Sequence, residues 1–214
     1  MCASATDADR WDQWYSAPDL VWGAEPNRRL VDEVGALSPG RALDLGGGEG
    51  RNAAWLASRG WDVTIVDFAR VGLDRAGEMA RQQGTALTAV HADLADYAPP
   101  EGVFDLVLIM YLQVPEQTLA AVLRRASRAL APGGTLLLIG HDRDNMAHGF
   151  GGPQDPAILQ SPQQVVDVLG TGLQVESATR IERVVSTADG PRTAIDALVR
   201  ARRPPDATRR AHGA

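Results

Sequence analysis

The chain of 214 residues contains no lysine, so all 21 of its basic residues are arginine. We read this first as a habit of genome composition, but it also excludes chemistry: a Tyr-x-x-x-Lys hydride-transfer pair cannot be built. A single cysteine, Cys2, rules out an internal disulfide. No run of 18 apolar residues occurs, so no helical membrane span is expected. Internal repeats and low-complexity stretches are absent, and residues 1–10 carry no apolar core, so no signal peptide is expected and the cytoplasm is the default compartment. What is present is ordinary for a globular chain, with 44% hydrophobic and 22% charged residues, and the length fits one domain. The charge is uneven. Five arginines (Arg200, Arg202, Arg203, Arg209, Arg210) lie in the last fifteen residues against Asp206, and the remaining body holds 16 arginines against 26 acids, a net of −10. So acidic a body should repel nucleic acid and anionic membranes. The arginine-rich tail, with Pro204 and Pro205 and no aromatics, reads as a solvated end.

Along the chain, short apolar runs alternate with amphipathic stretches of helical length. Strands are expected at residues 41–45, 62–66, 86–90, 103–109 and 135–139. Helices are expected at 52–59, 71–83 and 115–130, the last opened by Pro115 and the strand after it reached through a turn at Pro132-Gly133-Gly134. This alternation argues for a parallel sheet with helices on both faces. The pattern then changes. One more helix at 163–169 precedes two period-two segments, 173–186 and 193–202, around the turn signal Ala188-Asp189-Gly190. The expected fold is α/β, a Rossmann-like doubly wound sheet of seven strands, mostly parallel and closed by a C-terminal antiparallel hairpin. Its expected divisions are a helical lid segment at 1–40, a core at 41–203 and a disordered tail at 204–214. The leader concentrates Trp11, Trp14, Tyr15 and Trp22, four of the eight Trp and Tyr residues. They either cap the sheet or cover a ligand.

The strongest local signal is Ala42-Leu-Asp-Leu-Gly-Gly-Gly-Glu-Gly-Arg-Asn-Ala53, a strand running through a glycine turn into a helix. Such a turn lets a ligand approach the backbone and meets it with helix N–H groups. In one register it also satisfies the dinucleotide fingerprint G-x-G-x-x-A. Three acids discriminate. Asp44 before the glycines disfavours a pyrophosphate and favours a cationic group. Asp67 ends the second strand, where a carboxylate can accept two ribose hydroxyls. Asp93, in His91-Ala-Asp-Leu94, is placed to meet an adenine edge. Three carboxylates suit a ligand that carries an amine, a sulfonium and a ribose.

These residues resemble the class I S-adenosylmethionine-dependent methyltransferases. The resemblance rests on Leu43-Asp-Leu-Gly-Gly-Gly-Glu-Gly50, Val66-Asp67-Phe68, Asp93-Leu94, Phe104-Asp105-Leu-Val-Leu-Ile109 and Leu130-Ala-Pro-Gly-Gly-Thr-Leu136, and it spans residues 41–140. Gly47 stands where the family often has Cys. Gly48-Glu-Gly-Arg-Asn-Ala53 and the leader Trp22-Gly23…Pro26-Asn27-Arg28 are similar to the small-molecule branch containing tellurite-resistance and thiopurine methyltransferases. The resemblance implies S-adenosylmethionine as cofactor and S-adenosylhomocysteine as product. Asp44 with the backbone of Gly46, Gly48 and Gly50 would hold the methionine end, Asp67 the ribose, Phe68 the adenine face, and Asp93 and Leu94 its edge, while Met110 would line the cleft. Arg51 and Asn52 are contacts or plain helix-start residues.

Methyl transfer from a sulfonium is an in-line displacement with an activated donor, so alignment and desolvation dominate. A base is required only for a protonated acceptor. The loop Gly140-His-Asp-Arg-Asp-Asn-Met-Ala-His-Gly-Phe-Gly-Gly152 follows the fifth strand, where ligands of open α/β sheets bind. His141 is its candidate base or substrate contact, and otherwise a strand-end hydrogen-bonding residue. Tyr15, Trp22 and Tyr111 are candidate walls of an acceptor pocket, or core. His141, Asp142, Asp144 and His148 match no closed tetrahedral metal pattern, so no metal is expected, an oxygen-ligated divalent ion being the lesser reading. The expected acceptor is a small molecule, neither nucleic acid nor membrane. A nicotinamide-dependent oxidoreductase and a non-catalytic nucleoside-binding module are the rival readings.

Overall fold

The computed structural model describes residues 7–205. Cys2 and the tail residues Asp206, Arg209, Arg210 and His212 lie outside the described residues. Two helices come first, α1 (Asp7–Tyr15) and α2 (Arg28–Val34), followed by β1 (Arg41–Leu45), α3 (Arg51–Ser58), β2 (Asp62–Asp67), α4 (Arg70–Gln82) and β3 (Thr88–His91). Next are β4 (Phe104–Met110), α5 (Glu116–Ala129), β5 (Leu130–His141), the single turn α6 (Asn145–His148), α7 (Pro162–Leu169), β6 (Gln174–Thr187) and β7 (Gly190–Arg202). The seven strands form one mixed sheet in the order β3-β2-β1-β4-β5-β7-β6. It is mostly parallel and ends in an antiparallel hairpin, as the strand–helix alternation and the Ala188-Asp189-Gly190 signal imply. Among the described residues no helix is long and apolar enough to cross a membrane.

The chain divides after Tyr97 into two compact units. In the first, β1 pairs in parallel with β2 and β2 with β3. Leu43, Leu45, Val63, Ile65 and Val66 are buried on these strands, and α3 adds Ala53, Ala54 and Leu56. Helix α4 packs on α3 and β2, and α1 packs on α4. Ala69 at the N-cap of α4 offers no side-chain oxygen, and the helix borrows one from α1: the N–H of Val71 donates to Oδ1 of Asp12 at 2.8 Å. Between β1 and α3, Gly50 holds φ at 78°, and a Cβ there would lie 2.3 Å from the Cβ of Ala76. Gly50→Ala combines left-handed strain with a backbone clash and is expected to cost roughly 2–5 kcal/mol. Thermal unfolding checks this, and an unchanged midpoint would refute the close α3–α4 packing.

In the second unit β4 pairs in parallel with β5, and its near-continuous burial is that of a strand covered on both faces. Helix α5 packs on β4 and β5, and α7 on α5, β6 and β7. Strand β5 is longer than the expected 135–139. It starts at Leu130, and Pro132-Gly133-Gly134 sits inside it as a bulge. The register passes from Phe104↔Leu130 to Leu106↔Thr135, and Gly133 donates its N–H to the carbonyl of Arg203 at 2.9 Å. Strands β6 and β7 pair from Gln174↔Arg202 to Thr187↔Gly190, leaving Ala188 and Asp189 as the hairpin loop.

Candidate functional site

At the end of β1 the side chain of Asp44 is fully buried, and neither carboxyl oxygen has a hydrogen-bond partner among the described residues. Burial pushes its pKa from 3.8 up to about 7, the nearby Asp67 adds to the shift, and Arg51 opposes it. The loop that follows reverses at Gly46, Gly48 and Gly50, all with positive φ. At Gly47, Ile65 fills the space a Cβ would need, 2.6 Å away. Asp67, at the end of β2, straps the loop down: Oδ2 accepts from the N–H of Gly48 at 2.9 Å and Oδ1 from that of Ala69 at 2.8 Å. Burial raises the Asp67 pKa, while the N–H groups of Ala69, Gly48 and Phe68 pull it down. Phe68 is half-buried and Leu94 buried. Asp93 is exposed, with Oδ1 accepting from the N–H of Ala95 at 2.7 Å in an Asx turn. Asp44, Gly46, Gly48, Gly50, Asp67, Phe68, Asp93 and Leu94 thus all belong to the first unit.

Sequence reasoning missed what ties the leader to this loop. Glu49, 2% exposed, accepts from Nη1 of Arg75 at 2.7 Å and from the N–H groups of Val21 and Trp22, each at 3.3 Å. Arg75 also donates to the carbonyls of Ala17 and Asp19, and Arg51 to that of Trp22. One buried acid and two arginines therefore hold residues 17–22 against the glycine turn. No local pattern marks Glu49 or Arg75, because their partners lie 26 or more residues away. Tyr15 is buried, and its hydroxyl would lie 2.5 Å from a Cβ at Gly48. Its pKa is raised by burial and by the Asp67 charge, while a hydrogen bond with the Trp22 side chain opposes the shift. Trp22 is 42% exposed and stacks edge-on against Trp14, itself 51% exposed. The leader aromatics thus split into one core residue, Tyr15, and a surface group.

In the second unit Met110 is buried at the end of β4, and Tyr111 follows with φ at 55°. Its hydroxyl donates to Oδ2 of Asp196 at 2.7 Å. Asp196 is fully buried on β7 and also accepts from Nε of Arg183 at 2.6 Å. Burial alone would raise Asp196, but His141, Arg183 and Tyr111 together hold it below the ordinary carboxylate range. His141 Nδ1 lies 3.5 Å from Asp196 Oδ1. Asp142 and Asp144 both pair with Arg180, at 3.0 and 2.6 Å. Among the described residues no group of three or more His, Cys, Asp or Glu side chains could hold a metal ion.

Residues 42–134 match a family model described as a methyltransferase domain. The matched stretch, under half of the chain, is similar to a methyltransferase domain. Sarcosine/dimethylglycine N-methyltransferase of Halorhodospira halochloris is 32% identical over 157 residues, covering 58% of this chain and 56% of its own length. The tRNA 5-carboxymethoxyuridine methyltransferase of Escherichia coli K12 is 33% identical over 125 residues, covering 57% and 46%. The chain thus spans about half the length of the curated relatives it matches. Among solved structures, one described as "Conversion of a Disulfide Bond into a Thioacetal Group during Echinomycin Biosynthesis" superposes with a TM-score of 0.74 at 22% identity over 95% of both chains. TehB from Haemophilus influenzae superposes with a TM-score of 0.69 at 17% identity over 92% of this chain and 66% of its own. At these identities the likeness is one of fold. The methyltransferase match takes in the glycine turn, Asp67, Asp93 and β4, and stops before His141 and the closing hairpin.

Proposed function

We propose that this protein transfers the methyl group of S-adenosylmethionine to a small molecule. The observation that carries the reading is Asp44. A buried carboxyl without a hydrogen-bond partner is costly unless a ligand completes it, and an ammonium group is the complement its charge calls for. The residues fit the donor. Asp44 with the backbone of Gly46, Gly48 and Gly50 would hold the methionine end. Asp67 has spent one acceptor site on each oxygen and keeps others for the ribose hydroxyls. Phe68 would pack on the adenine, with Asp93 and Leu94 at its edge. When bound, the donor supplies a methyl group already activated on sulfur. The chain's own task is to hold, orient and desolvate.

The small-molecule acceptor is supported by the acidity of the body and by the name of the Halorhodospira halochloris relative. The E. coli relative is named for tRNA, so tRNA belongs in the acceptor panel, where no transfer is expected. A cytoplasmic setting accords with a chain of one cysteine. Calorimetric titration with S-adenosylhomocysteine, with NAD as control, tests the donor. Micromolar binding of the first alone is expected, and binding of NAD alone would transfer the chain to the oxidoreductases. Thiols, phenols, amines, carboxylates and metalloid oxyanions then form the acceptor panel.

A further inference from the structure

Strand β6 ends the sheet, and among the described residues β7 is the one strand paired with it. The backbone groups on its other side therefore meet no neighbouring strand among those residues. Long edges are ordinarily blunted by lysine, proline or a bulge, because an open ladder templates pairing with another chain. Residues 177–187 contain neither lysine nor proline. The one register shift of β6 lies between Val175 and Ser177, and the ladder is regular from there to Thr187↔Gly190. Successive side chains of a strand alternate between its faces. Ala178, Arg180, Glu182 and Val184 therefore share one face, and all four are exposed. Val184, at 72%, is the most exposed large apolar side chain among the described residues. Arg180 is held on that face by Asp142 and Asp144, with 52% of its side chain still exposed.

We propose that β6 pairs antiparallel with β6 of a second copy of this chain, about a twofold axis at Ile181, joining two sheets into one. In such an isologous pairing, positions equally far before and after the axis face each other across the two copies. Arg180 then faces Glu182 of the second copy, and Glu182 faces Arg180, so two cross-strand ion pairs form. On the same face Ala178 meets Val184 of the second copy, which covers the exposed valine on both sides, and Ile181 meets itself. The neighbouring registers set like charges opposite one another. An axis at Thr179 opposes Glu176 to Glu182, and axes at Arg180, Glu182 and Arg183 each oppose that residue to itself. An axis at Ala178 draws the Val175–Ser177 irregularity into the ladder, and one at Val184 carries Arg180 onto Ala188 in the hairpin turn. Main-chain hydrogen bonds supply the affinity of an added strand, and here the charges select its register.

Light scattering by the full chain at micromolar concentration should report twice the 22.8 kDa mass of one copy. Glu182→Arg sets an arginine against Arg180 on both sides of the axis. It should raise the dimer dissociation constant at least about 10-fold with the far-UV spectrum unchanged. Register is read by cysteine cross-linking in Cys2→Ser chains. Facing Cα atoms of antiparallel strands lie about 4.5 or 5.5 Å apart, within disulfide reach. Under mild oxidation Ile181→Cys should give a covalent dimer. Ala178→Cys and Val184→Cys should each stay single alone and link to one another when mixed. A single-copy mass for the wild type at about 100 μM would overturn the proposal. So would an unweakened dimer in folded Glu182→Arg, a covalent dimer of Ala178→Cys alone, or none from Ile181→Cys. Should Glu182→Arg fail to fold, the cross-links decide. The pairing is independent of the methyltransferase reading: a monomer that binds S-adenosylhomocysteine would sink the dimer alone.

Discussion

Asp44→Asn is expected to stabilise the free protein at alkaline pH while weakening its hold on S-adenosylhomocysteine. The folded-state pKa of Asp44, about 7, lies above its ordinary 3.8. Between those values the folded chain binds the proton more tightly than the unfolded chain, so stability falls as pH rises through this window. Above pH 7 the full penalty is in place, roughly 4 kcal/mol as an upper bound. Asparagine cannot ionise. The variant should therefore match the wild type near the acid end of the window and unfold at a higher temperature above about pH 8. Binding moves the other way, because the ammonium of the donor's methionine end favours the ionised carboxyl. Below pH 7 the wild type should release close to one proton on binding, and the variant none. Calorimetry in two buffers of different ionisation enthalpy reads this directly. Equal heats in both buffers for the wild type would mean that Asp44 does not meet the ligand's charge.

Asp67→Ala should weaken S-adenosylhomocysteine binding by roughly 1.5–3 kcal/mol, or about 10- to 150-fold, with helical content retained. Two losses combine. The ribose hydroxyls lose a charged acceptor, and the N–H groups of Gly48 and Ala69 lose the carboxylate that straps the glycine turn to the end of β2. Asp67→Asn separates them, since its amide oxygen can still serve one of the two N–H groups while the charge is gone. Because the Asp67 charge helps to raise Asp44, removing it should also move the proton-release window to lower pH. Unchanged affinity in a folded Asp67→Ala protein would show that the ribose lies elsewhere.

The first unit was legible wherever the signal was local. The glycine turn, Asp44, Asp67 and the parallel strands each sit inside one short stretch whose chemistry or periodicity announces them. The leader contacts were not, because Glu49 reads as a solvent-facing acid in a turn and becomes buried only when residues 17–22 fold over it. Asp196 was hidden for another reason. In the period-two segment 193–202 it occupies a position that reads as polar and outward, yet it is fully buried among Ala194, Ala197 and Leu198. Its polarity is satisfied by residues 13 and 85 positions away. The bulge in β5 shows a third limit. Pro132-Gly133-Gly134 carries the composition of a turn, but the ladder resumes on either side of it. Composition located the irregularity and misjudged its size.

The Glu49–Arg75 pair bears on how this domain can be recombined with others of its kind. A chimera that keeps the glycine turn and replaces the leader would bury an acid whose backbone donors, the N–H groups of Val21 and Trp22, belong to the discarded piece. Arg75 would lose the carbonyls of Ala17 and Asp19 in the same exchange. Leader, turn and the middle of α4 are thus inherited as one package, and a graft that respects helix and strand boundaries but divides this trio cuts through a single working part.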